Sequence, residues 1–250
     1  MILLYPQQLI NNSFFKNDLN KILSAVRQSP SAWEAYSVQE HMVIPEYLQY
    51  RSCAVYGPDD FCNRIADKLN LVLYENSLDY VYKLPNKYKK RTIKKMHLKE
   101  ARSLNVPKHI KSLNPNFIKG TVFNDGTALN QTLSDYIEVL VSDPVQIEYE
   151  LKYLVVNQKY TDRFTYKTKH RDVYPVFPEA DEFVNNFLSN IECANGTILT
   201  IGFIKQRGFA IIDTDACWKS NSGIFLSHKF LNAIKSSISS YKPIVEAEGK

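Results

Sequence analysis

GFAIIDTDACWKSNSGIF, residues 208–225, begins as a buried strand and ends as a polar turn. Its apolar run, Phe209 to Ile212, delivers Asp213 and Asp215. Side chains alternate along a strand, so the two carboxylates share one face and Thr214 takes the other. Like charges on one face repel unless a cation sits between them. Hard oxygen donors of this kind suit Mg²⁺, which takes one or two carboxylates plus phosphate oxygens. A strand-end pair of capping carboxylates is the other reading of the same residues.

Upstream, Thr197 to Phe203 reads as a partner strand, reached through Lys205-Gln206-Arg207-Gly208. Ala180 to Ile191 and Ser227 to Ser237 read as helices. Val145 to Asn157 (VQIEYELKYLVVN) alternates as a long strand, and Phe164 to Lys167 continues the sheet. Lys152 lies inside that strand. Lysine is rarely buried without a partner, so Glu148 or Glu150 on the same face, or a phosphate, must meet it. Lys111, in the short strand from His109, and Lys119, in the strand from Phe117 to Phe123, are, like Lys152, either exposed or locally paired lysines or partners of phosphate. The strand Ile137 to Val141 is closed by Ser142-Asp143-Pro144 before Val145 begins the next. Such a hinge either exposes backbone groups to a purine edge, with Asp143 toward a ribose hydroxyl, or is simply a turn. Asn124-Asp125-Gly126 is a turn signal between apolar runs.

The amino-terminal part opens with a short apolar stretch. A helical pattern follows on Phe14, Phe15, Leu19, Ile22, Leu23 and Val26, broken at Ser29-Pro30-Ser31. Ser52 to Gly57 reads as a strand stopped by Gly57-Pro58. Asp59-Asp60 opens a helix with Phe61, Ile65, Ala66 and Leu69 on one face, and Leu71 to Tyr74 forms the next strand. This β-α-β rhythm implies a small α/β unit.

Charge is concentrated. The 250 residues carry 31 Lys plus Arg against 26 Asp plus Glu, a net +5, but residues 83–102 (KLPNKYKKRTIKKMHLKEAR) alone hold nine basic side chains and one Glu. The remainder is slightly acidic, which excludes a globally basic nucleic-acid coat. Tyr88 to Leu104 reads as a helix with Lys87, Lys90, Arg91, Lys94 and Lys95 along one broad face. That face is either solvated or turned to phosphates. The 44% apolar content excludes disorder, and no run approaches the roughly 18 apolar residues of a membrane span. With no basic n-region or cleavage site at the start, and with Cys53, Cys62, Cys193 and Cys217 unpaired by spacing, the expectation is a cytoplasmic protein with free thiols and no structural zinc.

In order, these pieces resemble the ATP-grasp superfamily, in the clade named for one arginine and two lysines. Leu84-Pro85, Tyr88 and Arg91 match its opening, and Glu100-Ala101 its helix. Pro107-Lys108-His109-Ile110-Lys111-Ser112 resembles its Pro-x-Phe-Val-Lys-Pro strand, with His for Phe and Ser for Pro. Val139 to Val145 resembles its strand-hinge-strand, and Glu150-Leu151-Lys152 its Glu-Tyr-Arg strand. Asp213 to Trp218 with Gly223-Ile224-Phe225 resembles its Glu-x-Asn-x-x-Trp-x-Ser-Gly-x-Tyr end. The likeness covers about residues 52–235. There are departures. The flap lysine falls on Pro115 or Asn116, with Lys119 as candidate substitute, and Thr200 stands where the family has Asp. Lys152 for Arg loses bidentate geometry.

The resemblance implies an α+β ATP-grasp fold, two α/β lobes around a nucleotide, with an N-terminal region over 1–83 and an ATP-grasp region over 84–250. ATP and Mg²⁺ would be its cofactors. Arg91, Lys111 and Lys152 would neutralise phosphates; Lys119, Val141 and Asp143 would help hold the nucleotide; Asp213 and Asp215 would hold the metal. The implied activity is a ligase joining a small-molecule or peptide carboxylate, as an acyl phosphate, to an amine. Two alternatives stand: a binding or regulatory protein on the same scaffold without catalysis, and a nucleic-acid-binding protein whose 83–102 lysines interleave with Tyr82 and Tyr88 as stacking platforms.

Overall fold

Ile2-Leu3-Leu4 is buried on both faces because it is a central strand. The computed structural model describes residues 1–10, 13–39, 44–114, 117–168, 177–223 and 225–240, with backbone alone at 9, 10, 13–16 and 240. Strand β1 (Ile2–Pro6) pairs in parallel with β2 (Glu34–Val38) on one side and β3 (Cys53–Val55) on the other. Helix α1 (Ser13–Gln28) presents buried Leu19, Ile22 and Val26; the expected Phe14 and Phe15 fall outside the described side chains. Helix α2 (Asp59–Leu69) carries Asp59 and Asp60 in its first turn, which suits the positive end of the helix dipole. It stops where Asn70 adopts φ 50°. Strand β4 (Leu71–Leu73) follows.

The basic segment is not one helix. Helices α3 (Tyr80–Lys83) and α4 (Asn86–Lys89) are single turns, and Lys90 at φ 52° ends the second. Strand β5 (Ile93–His97) comes next, then the short helix α5 (Leu98–Arg102). Lysine-rich sequence favours helix locally, but β5 pairs along its whole length with a later strand, β8 (Glu138–Ser142). Tertiary pairing overrides the propensity.

That sheet runs β5-β8-β6-β7, with β6 (Lys108–Ser112) and β7 (Thr121–Phe123). The expected strand from Phe117 begins only at Thr121. Asp125-Gly126 makes no hairpin: Asp125 caps a single 3-10 turn by accepting from the Thr127 N–H. Ile110, Val139 and Val141 pack toward α5 on one face, leaving His109, Lys111 and Leu140 on the other.

A second antiparallel sheet runs β10-β9-β11-β12, with β9 (Ile147–Val156), β10 (Lys159–Thr168), β11 (Thr197–Ile204) and β12 (Gly208–Ala216). One face, Leu151, Tyr153, Leu199, Ile201 and Ile211, packs on α6 (Phe177–Asn190). On the other face Leu154 and Ile198 join a cluster with Leu3, Leu19, Ala54 and Phe230 of α7 (Ser227–Ser236), so residues on both sides of position 83 share one core. Strand β13 (Ile238–Ser240) pairs with β4. Fully buried Trp218 sits among Leu4, Val55, Phe61 and Ile65, and its indole N–H donates to the Tyr74 carbonyl at 3.2 Å.

A β-bulge decides where Asp213 points. Ile201 pairs with Ile211, but Thr200 pairs with Asp213, leaving Ile212 as the extra residue. In an unbroken strand Ile211 and Asp213 would share a face. The bulge sends Ile211 into the α6 core and Asp213 to the opposite side.

Trp218→Ala is expected to cost about 3–5 kcal/mol, the range for deleting a large buried ring. Urea unfolding measures it. A loss within the roughly 0.5 kcal/mol typical of surface positions would contradict this account of the core.

Candidate active site

Between the two antiparallel sheets lies a cavity of about 320 Å³. Ile93, Val122 and Leu140 line it from one sheet, Ile147 and Ile212 from the other, and the hinge Ser142 to Val145 closes one end. Gly202 lets Ile212 lie flat: a Cβ there would stand 2.8 Å from its Cγ1. Arg91, Lys111, Asp143 and Asp213 are the charged residues of the cavity lining. Lys111 Nζ donates to both oxygens of Asp213 at 3.0 Å, bridging the two sheets. Arg91, between α4 and β5, lines the same cavity, and its buried Nη1 has no hydrogen-bond partner among the described residues. Burial pushes its pKa down, and Asp213 acts against that. A buried, unsatisfied guanidinium N–H is costly unless an anion meets it.

A second space of about 400 Å³ adjoins the first and shares Lys111, Gly120 and Asp213 with it. Asp215 and Lys119 line it, together with Asp59, Glu75 and Lys219. Burial, and then the like charge of Asp213, raises the Asp215 pKa. Among the described residues no group of three His, Cys, Asp or Glu side chains forms a metal cage. Asp213 and Asp215 together still fit one Mg²⁺ completed by phosphate oxygens.

The other expected site residues are placed differently. Lys152 shares a cross-strand row with Thr200 and Asp213, yet its Nζ lies 4.2 Å over the Tyr166 ring and it lines neither space. Asp143 lines the hinge end, but its carboxylate accepts from Lys108 Nζ at 2.6 Å, which holds its pKa below the usual range. The Val141 side chain faces α5; its neighbours Leu140 and Ser142 line the cavity. Pro115 and Asn116 lie outside the described residues.

The basic segment disperses. Lys83 pairs with Asp79 at 2.8 Å, Lys89 donates to the Tyr82 carbonyl at 2.6 Å, Lys95 pairs with Glu138 at 2.8 Å, and Arg102 pairs with Asp135. Tyr88 is buried against Phe183 and Phe187 and cannot stack on a base. The expected single basic face is therefore absent from 83–102.

Two side chains escaped the sequence reading. Lys219 bridges Glu75 at 2.5 Å and Asp59 at 3.3 Å in the wall of the second space. His109 stands two residues before Lys111 on the same face of β6. Strand parity with Lys111 was the available signal for His109; nothing local marks Lys219.

A family model for the ATP-grasp domain, family 2 of the clade named for one arginine and two lysines, matches residues 88–233. The chain belongs to this ATP-grasp family. The match spans Arg91, Lys111, Lys152, Asp213 and Asp215. Solved ATP-grasp structures share the fold. A RimK domain ATP-grasp protein from Sphaerobacter thermophilus aligns at TM-score 0.58 and 11% identity, covering 94% of this chain and 99% of its own. D-alanine–D-alanine ligase from Bacillus anthracis, complexed with ATP, aligns at 0.56 and 8%, covering 95% and 97%. D-cycloserine synthetase aligns at 0.54 and 9%, covering 94% and 99%. No curated protein matches the sequence.

Burial, then Arg91 and Lys111, lowers the His109 pKa from 6.5. The unfolded chain then binds a proton that the folded one refuses, so stability is lost as pH falls below about 6.5. His109→Phe removes this term. Urea unfolding at pH about 7 and about 5 should show the wild type losing ground to the variant at the lower pH. An unchanged difference would mean that His109 ionises freely.

Proposed function

We propose that this ATP-grasp chain is an ATP-dependent ligase that joins a carboxylate to an amine. The observation that carries the reading is Arg91: in the cavity that also holds the Lys111–Asp213 pair, its buried Nη1 has no hydrogen-bond partner among the described residues. An adenine suits the apolar walls, between Ile93, Val122 and Leu140 on one side and Ile147 and Ile212 on the other. Arg91 and Lys111 would neutralise the phosphates, and Asp213 with Asp215 would hold Mg²⁺.

Bound Mg²⁺ would supply charge neutralisation at the transferring phosphate. The second space, which shares Lys111 and Asp213 with the cavity, would hold the substrates. A substrate carboxylate oxygen attacks the γ-phosphorus, giving an acyl phosphate and ADP. The amine then attacks the acyl carbon, expels phosphate and loses a proton, leaving an amide. The chain's own share is orientation, charge neutralisation and exclusion of water. No protein nucleophile is required. Four buried free thiols accord with a cytoplasmic setting.

A second reading, a nucleotide-binding protein without catalysis, is favoured by two observations. Thr200 occupies the row beside Asp213, and Lys152 is held on Tyr166. Mg²⁺-dependent ADP formation with any carboxylate–amine pair rules it out.

Arg91→Ala is expected to weaken ATP binding about 10- to 100-fold, the scale of a lost charge-assisted hydrogen bond. Isothermal titration measures it. Asp213→Asn with Asp215→Asn should remove the part of ATP affinity that Mg²⁺ adds and leave metal-free binding intact. Unchanged Mg²⁺ dependence would displace the metal from this pair.

A further inference from the structure

Three lysines line the second space, and two of them are engaged. Lys111 donates to Asp213 at 3.0 Å, and Lys219 pairs with Glu75 and Asp59. Lys119 is exposed, and its ammonium has no ion-pair or hydrogen-bond partner among the described residues. The family resemblance makes Lys119 a candidate for the flap lysine and hence for the nucleotide. The structure turns it elsewhere. Lys119 lines the second space and not the cavity between the sheets, whereas its neighbour Gly120 lines both. It therefore stands beside the junction of the two, on the side of the second space.

Its place is fixed locally. Ser112, fully buried, stands where the family pattern has proline. The Ser112 N–H donates to the Ile118 carbonyl at 3.1 Å, and its Oγ accepts from the Ile118 N–H at 2.9 Å. Proline offers neither group. Ile118 is thereby anchored in the α5 cluster, and Lys119 follows it outward into the second space. The chemistry at the junction calls for a cation. A carboxylate that attacks a γ-phosphate is one anion approaching another, and Coulomb repulsion opposes it. Its oxygen bonds to phosphorus as the bond to the β,γ-bridging oxygen breaks and ADP leaves. An ammonium at the carboxylate offsets the repulsion and fixes the angle of approach. Lys111 serves the phosphates in the reading above, and Lys219 is held by two acids, which leaves Lys119.

We propose that Lys119 binds the substrate carboxylate in the second space and orients it toward the γ-phosphate. This rests on the ligase reading, and it moves Lys119 from the nucleotide to the substrate.

The test compares wild type, Lys119→Ala and Lys119→Arg in two measurements. Calorimetry with Mg²⁺ and ATP should give affinities within about twofold of one another, the scale of a surface substitution away from the ligand. For the carboxylate, hydroxylamine is supplied as the amine, with Mg²⁺, ATP and a panel of amino acids, dipeptides and dicarboxylates. It captures an acyl phosphate as a hydroxamate, which ferric ion colours. With a carboxylate that reacts, Lys119→Ala should lower kcat/KM for that carboxylate about 10- to 100-fold, the scale of a lost charge-assisted hydrogen bond. Lys119→Arg, which keeps the charge, should recover part of it. An unchanged kcat/KM in Lys119→Ala, or an ATP affinity weakened about tenfold or more, overturns the proposal and leaves the ligase reading standing. No hydroxamate from wild type with any carboxylate overturns both.

Discussion

Lys111 and Asp213 are 102 positions apart and belong to different sheets, yet the Nζ lies 3.0 Å from both carboxylate oxygens. The site depends on this meeting. Each side chain is only partly buried, so the pair contributes little to stability on its own. Its importance is geometric: it marks where the two walls of the cavity converge. It also gives each charge a partner while no ligand is bound. Under the ligase reading proposed above, phosphate oxygens would take Lys111 and a metal ion Asp213, so that nucleotide binding would exchange one ion pair for two. Arg91 Nη1, by contrast, has no hydrogen-bond partner among the described residues.

The local geometry behind the pair is the bulge at Ile212. It turns Ile212 and Asp213 toward the cavity and leaves Ile211 in the α6 core. Gly202 lets Ile212 lie against its backbone, so a glycine on β11 and a bulge on β12 together shape the cavity wall. On the facing sheet no bulge is needed. Plain alternation along β6 puts Ile110 in the core and His109 and Lys111 on the site.

The basic stretch 83–102 shows how charge density misleads. Seen along the chain it is a strong polycation. In space its members serve different ends: Lys95 and Arg102 pair with acids far off in sequence, Lys89 satisfies a carbonyl, and Arg91 turns inward. Tyr88, spaced among the lysines like a stacking platform, is a core residue of the α6 cluster. Helical periodicity there was an accident of composition, since β5 is held as a strand by its pairing with β8.

Much was legible in the sequence because it is local. Alternation in Val145 to Asn157 marked β9, the three- and four-residue spacing marked α1, α2 and α6, and the order of short motifs pointed to the family. Asp213 and Asp215, Lys111 and Arg91 could be picked out as residue types along that order, and all four line the two adjoining spaces. What remained hidden is what another strand or another side chain imposes. The bulge exists through register with β11, and Lys152 lies on Tyr166, a residue of the neighbouring strand. Lys108 occupies Asp143 from across the hinge, and Lys219 meets two acids more than a hundred residues upstream. Residue type and period determine which way a strand's faces alternate. Only pairing between distant segments decides where that alternation is broken, and here the break aims Asp213 at the site.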